Sequence, residues 1–250
     1  MPYGVTGRNE WDITLPVKPL FQQLRRIIKP NGVIAMTAIQ PFSSRLVVDN
    51  LEYYRYSWYW NKVSPTGFLN SKNQPLRCVE EILIFSKEKP AYNPQMQRTK
   101  QFRKKGGYSE TNNYGKYNAK YITENNVKFP KNLITISNAD KSNSLHPTQK
   151  PVELFEYFIK TYTKENDVVL DCCFGSGTTA VACKRLNRNF IGYEISKKYV
   201  DVANSRLKAL PEKLDMFTEV PRPFKQHTLQ DMQPDMPKCT PKPMQRQLLL

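Results

Sequence analysis

The run Asp171-Cys-Cys-Phe174-Gly175-Ser176-Gly177-Thr-Thr179, followed 23 residues after its acid by Glu194, concentrates the chemistry of this chain. Its setting reads as strand, glycine turn, helix, strand. Gly175 and Gly177 let the backbone turn sharply and approach a ligand closely. The next helix aims its N-terminus at that ligand. Glu194 ends the following strand, where a carboxylate accepts hydrogen bonds from both hydroxyls of a ribose. An adenosine-bearing cofactor fits these features. Residues 175–180 also satisfy G-x-G-x-x-A, so a nicotinamide dinucleotide is a rival reading. A dinucleotide fold needs a second mononucleotide half, however. Only one helix and a proline-rich stretch follow Glu194, so the remaining sheet must come from upstream. An ordinary glycine turn without a ligand is the blander alternative.

Such residues need a sheet to hold them. Residues Leu15–Ile28 are expected to form a helix, with Leu20, Leu24, Ile27 and Ile28 on one face. Lys29–Gly32 is a stop and turn. Strands are expected at Gly32–Ile39, Tyr53–Trp60 and Glu80–Phe85. Regular patterning resumes with a helix at Pro151–Thr163, Pro151 near its first turn and Leu154, Phe155, Phe158 and Ile159 facing inward. A strand at Val168–Cys173, a helix at Thr178–Leu186, a strand at Phe190–Ile195 and a helix at Ser196–Leu210 follow, with Ser196 as N-cap. The neighbours Cys172 and Cys173 read as small buried hydrophobes of the strand.

Charge points to the partner. The 250 residues carry a formal net charge of +16, which suits a polyanionic partner, because each neutralised phosphate releases counterions, and equally a basic protein kept soluble by its charge, so placement decides. Residues 91–145 hold ten Lys/Arg against three Asp/Glu, with seven aromatics interleaved. Lys and Arg there can hold phosphates while aromatics and Asn contact bases. Arg103-Lys104-Lys105 beside Gly106-Gly107 is the sharpest cluster; the alternative is a solvated basic loop. Residues 211–250 contain seven of the 19 prolines and no clear periodicity, as in a mobile tail, with a partner-binding arm as the alternative. Five cysteines without a C-x-x-C pair argue against a zinc site or a disulfide framework and fit a reducing cytoplasm. No apolar run approaches the ~20 residues of a membrane span, and the N-terminus lacks a charged-then-apolar signal pattern.

Two of these motifs occur in a familiar order. Ser144-Leu-His146-Pro-Thr148-Gln-Lys150-Pro151, then a helix, a strand and Asp171–Thr179, resembles the amino-methyltransferases of DNA, which carry H-P-T-Q-K-P and D-P-F-x-G-S-G-T-T. The order resembles the permuted β group, with catalytic strands first and cofactor strands last. Met1-Pro2-Tyr3-Gly4 resembles the end of the family's D-P-P-Y-G loop. Trp58–Lys62, the run 65–68 (PTGF) and Pro75–Lys87 resemble its central strands, so the likeness runs from Met1 to about Leu210. Cys172 stands where proline is usual. The loop's Asp, Asn or Ser falls ahead of Met1, as does the strand leading into it.

The resemblance implies an α/β, permuted Rossmann-like methyltransferase fold: a mostly parallel sheet with helices on both faces. Residues 1–88 would form the catalytic-loop half, 89–145 a target-recognition insertion, 146–210 the cofactor-binding half and 211–250 the tail. The implied cofactor is S-adenosylmethionine, lined by Thr148, Lys150, Asp171, Phe174, Gly175, Ser176, Gly177 and Glu194. Thr148 and Lys150 would lie at its methionine end, with His146 a structural turn residue. Tyr3 would stack on a flipped base while the Pro2 carbonyl accepts from its amino group. Arg103, Lys104 and Lys105 would contact DNA, and no metal is implied. Adenine N6 is the favoured target. Cytosine N4, or a non-catalytic protein that binds cofactor or DNA, are the alternatives, since transfer depends on the loop residue ahead of Met1. Cytosine-carbon methylation is disfavoured, because it needs a nucleophilic cysteine after proline and the chain has no Pro-Cys pair. Double-stranded DNA is the expected partner and a homodimer stays open, within a restriction-modification, phage or orphan methylation system.

Overall fold

A computed structural model describes residues 2–4, 15–98, 108–111, 115–118, 127–138, 145–146 and 148–211. Helix α1 (Val17–Ile27) opens the ordered core, and its Pro19 falls in the first turn, where a missing N–H costs nothing. Val17 and Phe21 are buried, with Leu20, Leu24 and Ile28 packed beside them. Ile27, expected on that face, is 51% exposed, because Ile28 takes the inward position one turn after Leu24.

Four strands form the main sheet in the order β1-β3-β2-β8: β1 (Ile34–Ala38), β2 (Tyr54–Thr66), β3 (Arg77–Phe85) and β8 (Leu133–Thr135). Strand β3 runs antiparallel to both β1 and β2, whereas β8 runs parallel to β2. Hence β1, β2 and β8 share one direction and β3 alone opposes it. Strand β8 lies within the stretch expected to be an insertion, yet it belongs to this sheet. Between them, β4 (Gln97–Arg98) pairs with β7 (Val127–Lys128), and β5 (Tyr108–Thr111) forms a hairpin with β6 (Gly115–Asn118).

Alternation along β3 divides the core. Leu83 and Phe85 join Ile34, Met36 and Ala38 under α1 and α2 (Phe42–Val48). Ile82 and Ile84 join Trp58, Trp60 and Ile134 under α3 (Val152–Tyr162). Helices therefore cover both faces, as expected of a Rossmann-like sheet. The two buried tryptophans find acceptors for their indole N–H groups, Trp58 on the Tyr162 hydroxyl at 2.6 Å and Trp60 on the Ile136 carbonyl at 2.8 Å.

The cofactor half is a parallel pair, β9 (Val168–Asp171) and β10 (Asn189–Gly192), registering Asp171 against Gly192. Between them runs α4 (Thr178–Arg185), buried on all of its first six residues because they are small. Helix α5 (Lys197–Lys208) closes the unit. Ser196 occupies the N-cap position, but its side chain makes no capping bond.

Candidate functional site

Strand β9 ends at Asp171, and this carboxylate fixes the turn that follows. Its Oδ1 accepts the Cys173 N–H at 3.0 Å, and its Oδ2 accepts the Thr179 hydroxyl from the first turn of α4. Gly175 (φ +51°) and Gly177 (φ +75°) occupy the left-handed region. A Cβ added at Gly177 would stand 2.7 Å from that of Ala203 in α5. The Phe174 ring stacks on Phe190 with centroids 6.0 Å apart and presses on Gly192, where an added Cβ would lie 2.4 Å from the ring. Arg206 of α5 braces the loop, donating to the Ser176 carbonyl at 2.6 Å.

Glu194 faces this loop. One oxygen accepts the Gly175 N–H at 2.7 Å and the other the Ser196 N–H at 2.8 Å. A carboxylate has about four acceptor positions, so capacity remains for a ribose diol. The next residue, Ile195, is 93% exposed. An acid that takes hydroxyls beside an uncovered apolar side chain fits an adenosine group.

A second cluster surrounds Tyr3. Its hydroxyl donates to Glu80 at 3.4 Å, its ring lies 6.0 Å from that of Phe42, and the Lys150 Nζ is 5.2 Å from its centroid. Glu80 is shared by Lys62 at 3.3 Å and Lys150 at 3.5 Å, and Lys62 also donates to the Thr66 hydroxyl at 3.0 Å. The side chains of Lys62 and Glu80 are 5% and 13% exposed, so Lys62 is buried and Glu80 largely so. Two ammonium groups against one carboxylate leave one positive charge beneath the Tyr3 loop. Burial pushes the Tyr3 phenol up, with Lys150 opposing and Glu80 adding to it, so it stays neutral. Burial acts to lower Lys150, but Tyr3 and Glu80 outweigh it and hold the ammonium above its ordinary range.

The 146–151 run joins the two clusters. The Gln149 side chain accepts the Ser176 hydroxyl at 2.7 Å, while its neighbour Lys150 reaches Tyr3 and Glu80. The Gln149 N–H donates to the His146 carbonyl at 3.0 Å, which makes His146 part of a turn. The imidazole packs against Tyr199 with centroids 4.3 Å apart and faces Gly175. Thr148 is exposed, and its backbone N–H donates to His146 Nδ1 at 3.2 Å. Burial lowers the His146 pKa below 6.5, against the pull of Glu194 and with Lys150 assisting the lowering. A depressed histidine contributes stability that is present above its unfolded pKa and lost as pH falls through the folded one. Thermal stability should therefore hold from pH 8 to 7 and decline below about 6.5. In His146→Gln that acid-side decline should be smaller, a comparison differential scanning fluorimetry makes directly.

Several residues stand differently from expectation. Cys172 and Cys173 lie past the end of β9, half-buried, rather than within the strand. There the two thiols hydrogen-bond each other, which favours the thiolate of Cys172 and holds Cys173 protonated. Lys150 contacts Tyr3 and Glu80, and Thr148 contacts His146. Arg103, Lys104 and Lys105 lie outside the described residues, as does the stretch 212–250. Glu80, Lys62 and Gln149 were not singled out from the sequence. The adjacent acids opening a strand at Glu80 and the lysine inside an aromatic strand at Lys62 were the available signals, since a charge on a buried strand requires a partner.

Known proteins resemble this chain in sequence and fold. The family described as DNA methylase (N6/N4) matches residues 9–205. The Type II methyltransferase M.HpaI of Haemophilus parainfluenzae is 28% identical over 193 residues, 74% of this chain and 56% of that protein. The chain thus spans about half the length of this relative. The Type II methyltransferase M2.DpnII of Streptococcus pneumoniae is 53% identical over 64 residues, 26% of this chain and 24% of that protein. Among solved structures, the M1.HpyAVI–SAM complex superposes with a TM-score of 0.54 at 25% identity, over 79% of this chain and 85% of that one. The cytosine-N4-specific PvuII DNA methyltransferase shares the fold, with a TM-score of 0.55 at 19% identity over 80% and 72% of the two chains.

Proposed function

The chain belongs to the N6/N4 DNA methylase family, and from that premise we propose that it transfers a methyl group from S-adenosylmethionine to the exocyclic amino group of adenine in double-stranded DNA. The observation that carries this reading is the 146–151 run, which ties the adenosine-binding loop at Ser176 to the Tyr3 cluster. A methyl donor and an acceptor base must meet, and these are the two places that would hold them.

S-adenosylmethionine, when bound, supplies an electrophilic methyl group on a sulfonium. Glu194 would take its ribose hydroxyls and Ile195 would lie against its adenine, while Asp171 holds the loop from Phe174 to Gly177 in shape. An exocyclic base nitrogen is a weak nucleophile, because its lone pair is delocalised into the ring. The Pro2 carbonyl accepts a hydrogen bond from that amino group, favouring a pyramidal nitrogen, and Tyr3 stacks on the flipped base. No covalent enzyme intermediate is needed, and positioning supplies much of the rate. The hydrophobic-Pro-Tyr-Gly pattern at Met1–Gly4 favours adenine over cytosine. Residues 89–145, with Arg103, Lys104 and Lys105, read the target. Homologous Type II enzymes support a restriction-modification setting.

Incubation with methyl-labelled S-adenosylmethionine and mixed-sequence duplex DNA, followed by nucleoside mass spectrometry, tests the proposal. N6-methyladenine is expected. N4-methylcytosine would overturn the adenine assignment, and DNA without labelled base would overturn transfer by this chain.

A further inference from the structure

Residues 67–76 join β2 to β3 beside the Tyr3 cluster, and they form a well-bonded turn. Gly67 adopts φ +90°, Phe68–Asn70 make one 3-10 turn, the Asn70 N–H donates to the Gly67 carbonyl at 3.0 Å, and Asn73 donates to the Asn70 side chain at 2.8 Å. The Thr66 hydroxyl closes its base, donating to the Arg77 carbonyl at 3.3 Å. Yet this bonded turn holds Phe68 and Leu69 at 72% and 85% exposure. Two large apolar side chains side by side on an ordered tip mark an interaction surface.

The surrounding charge selects the partner. From Val63 to Val79 the chain carries Lys72 and Arg77, both exposed, and no acid. An apolar tip flanked only by cations suits a polyanion that can admit apolar groups, and stacked base pairs between phosphates are such a ligand. The tip is also linked to the base pocket: Lys62 donates to Thr66 at 3.0 Å and pairs with Glu80, which accepts from Tyr3. Flipping a base leaves a hole in the stack. We infer that Phe68 and Leu69 form a wedge that enters the DNA stack beside the flipped nucleotide, with Lys72 and Arg77 on the flanking phosphates. This rests on the proposal that Tyr3 receives a flipped base.

Fluorescein-labelled duplexes of one mixed sequence, intact or with a central abasic site, provide the probe, and anisotropy with the full chain gives affinities. The unsubstituted chain should prefer the abasic duplex, whose gap already exists. Phe68→Ser/Leu69→Ser should weaken binding to it about tenfold or more, with the salt dependence and S-adenosylmethionine affinity unchanged. Lys72→Ala/Arg77→Ala should instead reduce the slope of log affinity against log salt by about two. Undiminished binding of the abasic duplex by the serine variant overturns the wedge. So does a loss of self-association on sedimentation with DNA affinity unchanged, which would assign the tip to a second copy of the chain. A parent chain that binds S-adenosylmethionine but no duplex overturns the DNA reading itself, and the wedge with it.

Discussion

Asp171→Ala should weaken S-adenosylmethionine binding about a hundredfold or more, from the loss of two hydrogen bonds to a charged group worth about 1.5–3 kcal/mol each. The Asp171 carboxylate organises the loop around it. It accepts from the Cys173 backbone and the Thr179 hydroxyl, and thereby ties the end of β9 to the start of α4. Thr179 is only 4% exposed. Alanine would leave its hydroxyl buried without this acceptor and would release the turn that carries Phe174–Gly177. Asp171→Asn separates shape from charge. Its amide oxygen still accepts from Cys173 and its NH2 group can donate to Thr179, so a loss of about tenfold or less is expected. Isothermal titration of the three proteins measures both values. An alanine variant that binds like the parent would show that the loop keeps its shape without the acid.

Glu80→Ala should lower unfolding stability by about 3–5 kcal/mol, the usual range for removing one partner of a buried ion pair. Lys62 and Lys150 would then face each other near Tyr3 with no counter-charge. Lys62→Met should cost far less, because Glu80 keeps Lys150 and the charges balance one to one. The double variant Lys62→Met/Glu80→Gln should fall between them, leaving one ammonium beside an amide acceptor. Urea denaturation gives all three values. A Glu80→Ala variant within about 1 kcal/mol of the parent would mean that water solvates the lysines and that the cluster is not closed.

Periodicity made most of the α/β order legible, because long apolar patterns decide their own structure. It failed where tertiary contacts decide. Helix α2 is seven residues long, with Ser43 and Ser44 inside it, and forms because Phe42 and Leu46 dock on β1 and β3. Strand β8 is three residues in a basic stretch, and it exists through its pairing with Tyr59–Asn61 of β2. Direction was hidden too: nothing local in Glu80–Phe85 says that β3 opposes its neighbours.

The candidate site divides in the same way. Asp171, Gly175, Gly177 and Glu194 were legible because each acts within one strand–turn–helix–strand unit, where spacing fixes geometry. The Tyr3 cluster was not. Lys62 and Glu80 lie 18 residues apart and meet only through the β2–β3 register, which pairs Trp60 with Glu80. Lys150 joins them from the far half of the chain. Its motif marked it as a site residue, but only the fold brings it to Tyr3.

The Asp171–Thr179 loop and the Glu194 carboxylate that faces it are the proposed cofactor site, and calorimetric titration of the parent chain and Glu194→Ala with S-adenosylmethionine and with NAD tests it most directly. The parent should bind S-adenosylmethionine at one site and NAD not at all, and the Glu194 variant should lose about tenfold or more in affinity as its ribose acceptor goes. Binding of NAD without S-adenosylmethionine, or S-adenosylmethionine binding untouched by the loss of Glu194, would contradict it.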